Sequence, residues 1–363
     1  MKYARMFNQY RYKMQKRPDD FSLWPRDGNI GDCIQTIAVE NIYKKANIDI
    51  KQLLLVNRDD LKTYEGETCK LVMQSWFGDY AGCFPLPWSK KIIPIFLGFH
   101  LNKINNTRER FLQEKIYEDM IPYQPIGCRD RSTAKFLSSC GLKTYFSGCM
   151  TLTFDKRVQE PQNGKVFIVD LTAKSYDNLP EHIKQIGDTS ITHFYYWNEY
   201  PVSKKGAHEF EEAARNILDR YYNEAKLVIT SKIHVAMPCI AMGIPVIFIN
   251  EDKNNERFDV LQRLLPMYNP SDMDFVNWNP APVNIDELKK AIIENAIATI
   301  LNTKDKEEKR NHLISITSVL KPILYQKRAS LCNIKTTKTH YIISFCGIKI
   351  NIKLPKRCIT ARE

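Results

Sequence analysis

The chain has 363 residues, which is too long for one typical domain and suits two α/β domains of ordinary size. Hydrophobic residues make up 44% of it and no apolar run approaches the ~18 residues of a membrane span, so the composition is that of an ordinary globular protein. The formal net charge is +12, with Lys and Arg in excess in residues 1–17 and 321–363, which indicates an anionic partner: a membrane surface, a nucleic acid or a phosphorylated substrate.

Short apolar runs alternate with helical patterns over the first half of the chain. The apolar runs predict strands, and apolar residues spaced three and four apart predict helices. Strands are predicted at 51–56, 70–77, 91–100, 125–130 and 142–154, and helices at 107–120 and 131–141. This alternation favours a parallel sheet with helices on both faces.

The segment VQEPQNGK (158–165) is rich in turn-forming residues and predicts a linker. The alternation then resumes, with strands predicted at 165–172, 226–231 and 244–250 and helices at 209–222 and 232–243. We therefore expect an α/β fold with two Rossmann-like domains, 1–157 and 165–320, and a ligand in the cleft between them. Residues 321–363 would form a basic C-terminal tail.

The tail interleaves isoleucine and phenylalanine with lysine in YIISFCGIKINIKLPKR. This pattern indicates a hairpin or an extension on the surface more than a part of the core. Such a tail either holds the protein at an anionic membrane or is a solvated extension, and the two interpretations have equal weight.

Ten cysteines occur, none of them in a CxxC pair, and several lie inside apolar runs. This pattern predicts buried free thiols in a reducing cytoplasm, and neither a disulfide framework nor a zinc site. The basic N-terminus lacks the apolar segment of a secretory signal, which also favours a cytoplasmic protein.

The stretch GNIGD, Gly28–Asp32, lies directly before a helical pattern. Asp32 is therefore expected near a helix N-terminus, where free N–H groups and the helix dipole favour an anion. Spacing alone favours Asp32 as the helix cap and the glycines as a turn. The alternative is a cradle for a charged ligand, with Asn29 and the amides of Gly31 and Asp32 facing it. Since no clear apolar strand precedes the stretch, it is not a standard dinucleotide-binding motif.

Ser231, Lys232 and His234 lie where a predicted strand meets the helix that follows it. A lysine supplies a fixed positive charge for a phosphate or a carboxylate, and a histidine can give or take a proton near neutral pH. A partly buried structural histidine is the alternative, but the clustering of the three groups slightly favours a functional site.

Three further segments could contribute to a site. Arg129 and Asp130 end a predicted strand and open a helix, which Asp130 or Ser132 would cap, and an ion pair with a cap is the simple alternative. His193 lies beside an aromatic cluster that is either core or a platform for a sugar ring. Arg257 follows a strand in a segment that, taken alone, is typical of a solvated loop.

Five segments carry a resemblance to a known family: NIGD (29–32), CRDRSTAKFLSSCGLKTYFSG (128–148), ITH (191–193), AKLVITSKIHVAMPCIAMGIPVIFI (225–249) and RF (257–258). In their order and spacing they resemble the polysaccharide pyruvyl transferase family. The resemblance implies a GT-B-like fold, in which two Rossmann-type domains face a cleft. It also implies transfer of the enolpyruvyl unit of phosphoenolpyruvate onto a saccharide, which forms a pyruvate ketal in cell-surface polysaccharide synthesis.

The same resemblance implies a donor site. Lys232 and Arg129, and then Arg257, would neutralise the phosphate and the carboxylate of phosphoenolpyruvate. The chain has Lys232 where the family commonly has arginine, which keeps the charge but loses the bidentate fork. The other residues expected to line this site are Asn29, Gly31, Ser231, His193 and Asp130.

The proton transfers implied by this chemistry need an acid and a base. His234 would be the general acid, either for the methylene carbon or for the departing phosphate, and Asp32 or Asp130 would take the hydroxyl proton. No metal and no cofactor beyond the donor substrate is required, and the sequence has no metal-ligand spacing. The acceptor would be a saccharide or a lipid-linked saccharide, met by a cytoplasmic protein that is peripheral on the inner membrane face.

Two other functions remain open at this point. A GT-B glycosyltransferase could hold the diphosphate of a nucleotide sugar at the same cationic helix start. A non-catalytic protein that binds nucleic acid or an anionic surface would explain the charge of +12, but the sequence has no RNP, KH or zinc signature, so we expect no nucleic-acid partner.

Overall fold

The computed structural model describes residues 1–9, 27–78, 84–197, 202–252 and 255–324, together with the backbone of three strands in the C-terminal tail. The chain divides into two compact units, Met1–Ile323 and Leu324–Glu363. Within the described residues, no helix is both long enough and apolar enough to span a membrane.

Two parallel sheets organise the first unit. Its strands are β1 (Lys2–Phe7), β2 (Asp27–Asn29), β3 (Leu54–Asn57), β4 (Cys69–Val72), β5 (Trp76–Phe77), β6 (Ile92–Ile95), β7 (His100–Leu101), β8 (Ile126–Cys128), β9 (Thr144–Phe146), β10 (Lys165–Val169), β11 (Gly187–Asp188), β12 (Phe194–Tyr196), β13 (Ala225–Thr230), β14 (Val246–Ile249) and β15 (Met267–Tyr268). One sheet has the order β3-β1-β4-β6 and the other the order β11-β10-β13-β14-β15. All neighbours in both sheets run parallel, which confirms the predicted α/β class with parallel sheets.

Helices alternate with these strands, as the sequence predicts. They are α1 (Ile30–Lys45), α2 (Thr107–Gln113), α3 (Ile116–Met120), α4 (Arg131–Ser139), α5 (Ala173–Asp177), α6 (Glu181–Ile186), α7 (Lys204–Glu224), α8 (Ile233–Ala241), α9 (Asp286–Leu301) and α10 (Lys306–Ser318). The amphipathic pattern of α7 buries Phe210, Ala214 and Leu218, and the Ser203 hydroxyl caps its start by accepting from the Gly206 N–H. The predicted unit of strand, helix and strand is present as β13, α8 and β14.

Helix α1 lies inside the larger apolar cluster of the first unit. Its residues Ile34, Ile37 and Ile42 are almost fully buried, and the helix packs against α7, α8 and α9. Burial on several sides explains why α1 lacks a broad polar face. The lysines of its last turn, Lys44 and Lys45, complement the negative end of the helix dipole.

Some predicted elements differ from the structure. Strand β1 was not predicted, because KYARMF carries two basic residues and too few apolar ones to form a run, yet it lies between β3 and β4. The predicted helix 107–120 is broken into α2 and α3, where Lys115 has a left-handed backbone (φ 51°). The predicted strand 142–154 ends after β9, and Met150–Thr153 form a 3-10 turn instead.

Cysteine thiols in the described residues are free. They belong to Cys33, Cys69, Cys128, Cys140, Cys149 and Cys239, and all except Cys140 are buried. The remaining four cysteines, Cys83, Cys332, Cys346 and Cys358, lie outside the described residues. The prediction of buried free thiols is therefore confirmed for five of the six cysteines in the described residues.

The second unit contains a small antiparallel sheet. Its strands are β16 (Asn333–Thr336), β17 (His340–Phe345) and β18 (Ile348–Lys353), paired in that order. The register places Ile343 opposite Ile334 on one side and Ile350 on the other. A hairpin was one of the two predicted forms of the tail, and β17 with β18 has that form.

A buried ion network joins β1, α1 and α7. The Arg5 guanidinium lies 2.8 Å from the Glu211 carboxylate, and Arg215 lies 2.6 Å from Glu40 and 2.7 Å from Glu211. Burial opposes ionisation of Glu40, but the hydrogen bond and the charge of Arg215 lower its pKa below the ordinary value. Arg5 also lies 3.7 Å from Glu40, so each acid compensates two guanidinium groups, and removal of one acid leaves positive charge at the network uncompensated.

We predict that Glu40→Gln lowers the free energy of unfolding by about 3 kcal/mol, since breaking a buried ion pair leaves a charge without its partner. Because the folded pKa of Glu40 lies below the unfolded value of about 4.3, its contribution is complete above that pH and is lost as the pH falls through the folded pKa. Urea unfolding of both proteins between pH 7 and pH 3 should therefore show a difference that shrinks on acidification.

The matched control for this prediction is Glu118→Gln. The Glu118 carboxylate lies 4.0 Å from Lys115 with both side chains exposed, and such a pair contributes at most about 0.5 kcal/mol. Equal effects of the two variants would contradict the stabilising role of the buried network.

Candidate functional site

The stretch GNIGD forms the end of β2 and the start of α1. Strand β2 pairs antiparallel with β12, with Asn29 opposite Phe194, and the Ile30 N–H donates to the carbonyl of His193 at 2.9 Å. The Asn29 side chain caps α1 by accepting from the Gly31 N–H at 3.0 Å. The stretch is thereby fixed against the segment that contains His193.

Asp32 lies in the first turn of α1 and is not its cap. Its carboxylate accepts from the Arg58 guanidinium at 2.7 Å. The capping interpretation of Asp32 is therefore wrong, because α1 begins three residues earlier than a cap at Asp32 implies, and Asn29 occupies the cap. The Gly31 amide, expected to face a ligand, donates to Asn29 instead.

Gly31 allows the start of α1 to approach the start of α8. A Cβ built on Gly31 would lie 2.9 Å from Nδ1 of His234 and 3.0 Å from its Cβ. Two segments that are 203 positions apart in the sequence, GNIGD and SKIH, therefore meet in the fold. A side chain at position 31 would push them apart.

Strand β13 ends at Thr230 and α8 begins at Ile233, so Ser231 and Lys232 form the junction. The Ser231 hydroxyl donates to the Asp170 carbonyl at 2.6 Å, and the Lys232 N–H donates to the Thr230 hydroxyl at 3.0 Å. Nζ of Lys232 lies 4.6 Å from the centroid of the Phe194 ring. Ser231 therefore fixes the turn, while the Lys232 charge lies over an aromatic ring at the edge of the site.

His234 is 5% exposed, and its Nε2 has no hydrogen-bond partner among the described residues. Burial and the charges of Arg129 and Arg257 hold its pKa well below the ordinary value of a histidine. His234 is therefore neutral at physiological pH in the protein as described.

Arg129 and Asp130 lie between β8 and α4. Arg129 is 2% exposed, its Nη1 donates to Oε1 of Gln35 in α1 at 2.7 Å, and its Nη2 has no partner in the described part of the chain. Asp130 caps α4, accepting from the Thr133 N–H at 2.7 Å, so of the two predicted caps it is Asp130 and not Ser132. Gln35 thereby links the Arg129 guanidinium to the helix that follows GNIGD.

His100 was not predicted as a site residue. Its Nδ1 lies 2.6 Å from Oδ2 of Asp130, it is 1% exposed, and its Nε2 is without a partner in the described structure. Burial and the charge of Arg129 lower the pKa of His100 to about 4, although Asp130 opposes this. Its place at the end of the predicted strand 91–100 was the signal in the sequence, because ligands bind at the carboxyl ends of parallel strands.

Arg257 lies in a 3-10 turn, Glu256–Phe258, and not in an open loop. The turn is held to the start of α4, where the Ser132 hydroxyl donates to Glu256 and Arg131 pairs with Asp259 at 2.9 Å. Nε of Arg257 is buried without a partner among the described atoms, and burial with the charge of Arg129 lowers its pKa to about 10.

His193 has a different environment from the other two buried histidines. Its Nε2 lies 2.9 Å from the Tyr221 hydroxyl, and its backbone N–H donates to Asp170 at 2.9 Å. Burial and the charge of Lys232 lower its pKa to about 3. Since its ring is already engaged by Tyr221, the structure places His193 beside the site as a link between β12 and α1.

The result is a buried cationic cluster. It contains four nitrogen atoms without a partner in the described residues: His100 Nε2, Arg129 Nη2, His234 Nε2 and Arg257 Nε. Arg129 acts on the pKa of the other three residues, and His100 and Arg257 also act on the pKa of His234, so the four lie within electrostatic reach of one another. The two arginine nitrogens are buried donors, which are unfavourable without partners, and an anion with several oxygen atoms would satisfy them. No group of three or more potential metal ligands occurs in the described residues.

The model of the family described as Polysaccharide pyruvyl transferase matches residues 29–253, more than half of the chain. No match among curated proteins was found. A functionally uncharacterised protein of Klebsiella pneumoniae subsp. pneumoniae is 15% identical, with 71% of this chain and 88% of that chain covered and a TM-score of 0.36. A putative UDP-N-acetylglucosamine 2-epimerase of Listeria monocytogenes is 12% identical, with 82% and 76% covered and a TM-score of 0.29.

We predict that Gly31→Ala destabilises the protein by about 1–3 kcal/mol, because the added methyl group meets the His234 ring. Helix propensity alone predicts the opposite sign, since alanine stabilises a helix by about 1 kcal/mol relative to glycine. Urea unfolding decides between the two, and an increase in stability would show that the start of α1 does not touch His234.

Proposed function

The chain belongs to the polysaccharide pyruvyl transferase family, and we propose that it transfers the enolpyruvyl group of phosphoenolpyruvate onto a saccharide to form a pyruvate ketal in cell-surface polysaccharide synthesis. The observation that carries the proposal is the buried cationic cluster. Its Arg129, His234 and Arg257 come from segments that the family resemblance selects. We further propose a GT-B-like arrangement with domains 1–157 and 165–320, which the two parallel sheets support.

The donor fits the charges of the cluster. Phosphoenolpyruvate carries a phosphate and a carboxylate, both of which need hydrogen-bond donors and positive charge once they leave water. Arg129 and Arg257 each offer a buried nitrogen without a partner in the described structure, and Lys232 adds a charge at the edge. We assign the donor to these three residues, with no cofactor besides.

The chemistry requires a balanced set of proton transfers. Two hydroxyl O–H bonds break and two C–O bonds form at C2 of the donor, while the bond from C2 to the phosphate oxygen breaks. One proton goes to the methylene carbon and the other leaves with the phosphate. We assign the proton donated to carbon or phosphate to His234. His234 is neutral without the donor substrate. A bound anion would offset the arginine charges and raise the pKa of His234, so His234 would take up a proton when phosphoenolpyruvate binds.

The acceptor would contact the edge of β12. Phe194 and Tyr196 point to the same face of this strand, since alternate residues do so, and their side chains are 41% and 66% exposed. Aromatic rings of this kind pack against the apolar face of a sugar. Lys232 lies over the Phe194 ring at this edge, and this contact supports an acceptor bound next to the donor.

We predict that phosphoenolpyruvate raises the Tm of the protein. A ligand at about 100 times its Kd stabilises the folded state by about 2.7 kcal/mol, which corresponds to a rise of a few degrees. In Lys232→Ala the same rise in Tm should require a higher concentration of phosphoenolpyruvate. The control is His182→Ala, which alters an exposed residue of α6 and should leave the required concentration unchanged. A rise with UDP-glucose or UDP-N-acetylglucosamine and none with phosphoenolpyruvate would instead favour a glycosyltransferase.

For the basic tail we propose a peripheral contact with an anionic membrane on the cytoplasmic side. Lys335, Lys349 and Lys353 lie in its strands, and a basic residue near such a surface contributes about 1 kcal/mol. The first unit should be kept whole in any truncation. Its last residue, Ile323, donates a backbone hydrogen bond to the Gln262 carbonyl, so a deletion should begin at residue 324.

We predict that the full chain co-sediments with vesicles containing phosphatidylserine and that residues 1–323 do so less. The control is the full chain with these three lysines replaced by glutamine, which removes the charges without shortening the tail. Salt at about 0.5 M should release the full chain, because exposed charges are then screened over a few ångströms. Equal sedimentation of all three proteins would show that the tail does not hold the protein at the membrane.

A further inference from the structure

His100 and Asp130 form a buried carboxylate–imidazole pair beside the donor site. The segment that carries His100 pairs with the segment that carries Arg129: Phe99 forms a parallel bridge with Cys128, and the Arg129 N–H donates to the Phe99 carbonyl at 2.9 Å. This pairing fixes Nδ1 of His100 at 2.6 Å from Oδ2 of Asp130. The pair is therefore set by the backbone and not by flexible side chains alone.

The hydrogen bonds define the proton positions. Burial alone would raise the pKa of Asp130, but the hydrogen bonds from His100 and Thr133 lower it to about 2, so Asp130 is ionised. An ionised carboxylate can only accept, which places the proton of neutral His100 on Nδ1. Nε2 then carries a lone pair, is buried, and has no partner among the described residues.

We propose that His100, oriented by Asp130, is the base that removes the proton from the attacking hydroxyl group of the saccharide. This inference rests on the proposed function. The hydroxyl O–H bond breaks, its electron pair forms the bond to C2 of the donor, and the proton moves to Nε2 of His100. His234 supplies the proton that the methylene carbon gains, the proton taken by His100 leaves with the phosphate, and the proton of the second hydroxyl group, released when it closes the ketal, restores His234.

The carboxylates expected from the sequence are poorer bases. Asp130 has both oxygens engaged, one with the Thr133 N–H and the other with His100, and its pKa is about 2. Asp32 is held by Arg58 at 2.7 Å. His100 provides what neither offers, a lone pair without a protein partner next to Arg129, with a carboxylate behind it to stabilise the imidazolium that forms.

Binding of the donor should strengthen this base. The groups that act on His100 are Arg129 and Arg257, which lower its pKa, and Asp130, which raises it; the Thr133 hydroxyl lies 3.4 Å from Nδ1, and His234 is within electrostatic reach. An anion between the arginines would offset their charge and raise the pKa of His100 from about 4. Donor binding should therefore take up protons and weaken as the pH rises through the raised pKa.

The first test is NMR of the histidine rings in the full chain, which has seven histidines and so gives a small set of signals. Labelled rings are assigned with His100→Gln and His234→Gln, and phosphoenolpyruvate or inorganic phosphate is then added. We expect His100 to show a protonated Nδ1 and an unprotonated Nε2, and the Nε2 signal to move with phosphoenolpyruvate. If the His234 signals move and those of His100 do not, this inference is wrong; if neither moves, the proposed function fails.

The second test is the rate of phosphate release from phosphoenolpyruvate with water in place of the saccharide. His100→Gln should lower kcat by about 100-fold or more, with phosphoenolpyruvate affinity within about threefold of that of the unaltered protein, since base catalysis contributes 10²–10⁴. His182→Gln is the control. In the unaltered protein kcat should fall at low pH as His100 becomes protonated, and this fall should be absent from His100→Gln. If kcat of His100→Gln stays within about tenfold of that of the unaltered protein and its pH profile is unchanged, the assignment of His100 as the base is wrong.

Discussion

The site depends on the close contact between the starts of α1 and α8. Gly31 has no side chain to separate them, so its backbone reaches the His234 ring, and a Cβ there would lie 2.9 Å from Nδ1. The same stretch pairs with β12 and is capped by Asn29. Because α1 is buried among α7, α8 and α9, it cannot move away without opening the apolar cluster. This packing removes His234 from water and thereby lowers its pKa.

The second constraint is the imbalance of charge that this packing buries. Arg129 and Arg257 are compensated incompletely, because the nearby acids have other partners: Asp130 is bound by His100 and Thr133, and Asp32 by Arg58. Buried positive charge is unfavourable unless an anion accompanies it. The histidines respond by staying neutral, which keeps the cluster from becoming more positive. A ligand with more than one negative charge would restore the balance.

Much of this site could be predicted from local pattern, and the rest required tertiary contacts. SKIH and the segment at Arg129 lie where strands end and helices begin, and such junctions are visible in the sequence. The cap of α1 was misassigned because Asn29 and Asp32 are both good capping residues and only the observed first turn separates them. Lys2 and Arg5 interrupt the apolar residues of β1, and it becomes a strand through its two parallel neighbours. The role proposed for His100 depends on Asp130, which the backbone pairing of 96–99 with 127–129 brings beside it.

The comparison of His193 with His100 shows what local sequence could not distinguish. Both are almost fully buried, and both have lowered pKa values, about 3 for His193 and about 4 for His100. The Nε2 of His193 is engaged by the Tyr221 hydroxyl, whereas Asp130 binds Nδ1 of His100 and leaves Nε2 without a described partner. A hydroxyl can act as donor or acceptor, so Tyr221 satisfies a neutral ring whichever nitrogen carries the proton. A carboxylate can only accept, so Asp130 fixes the tautomer and leaves a lone pair on Nε2, within electrostatic reach of Arg129 and Arg257. The partner, and not the burial, therefore separates a histidine that holds the fold from one that can accept a proton.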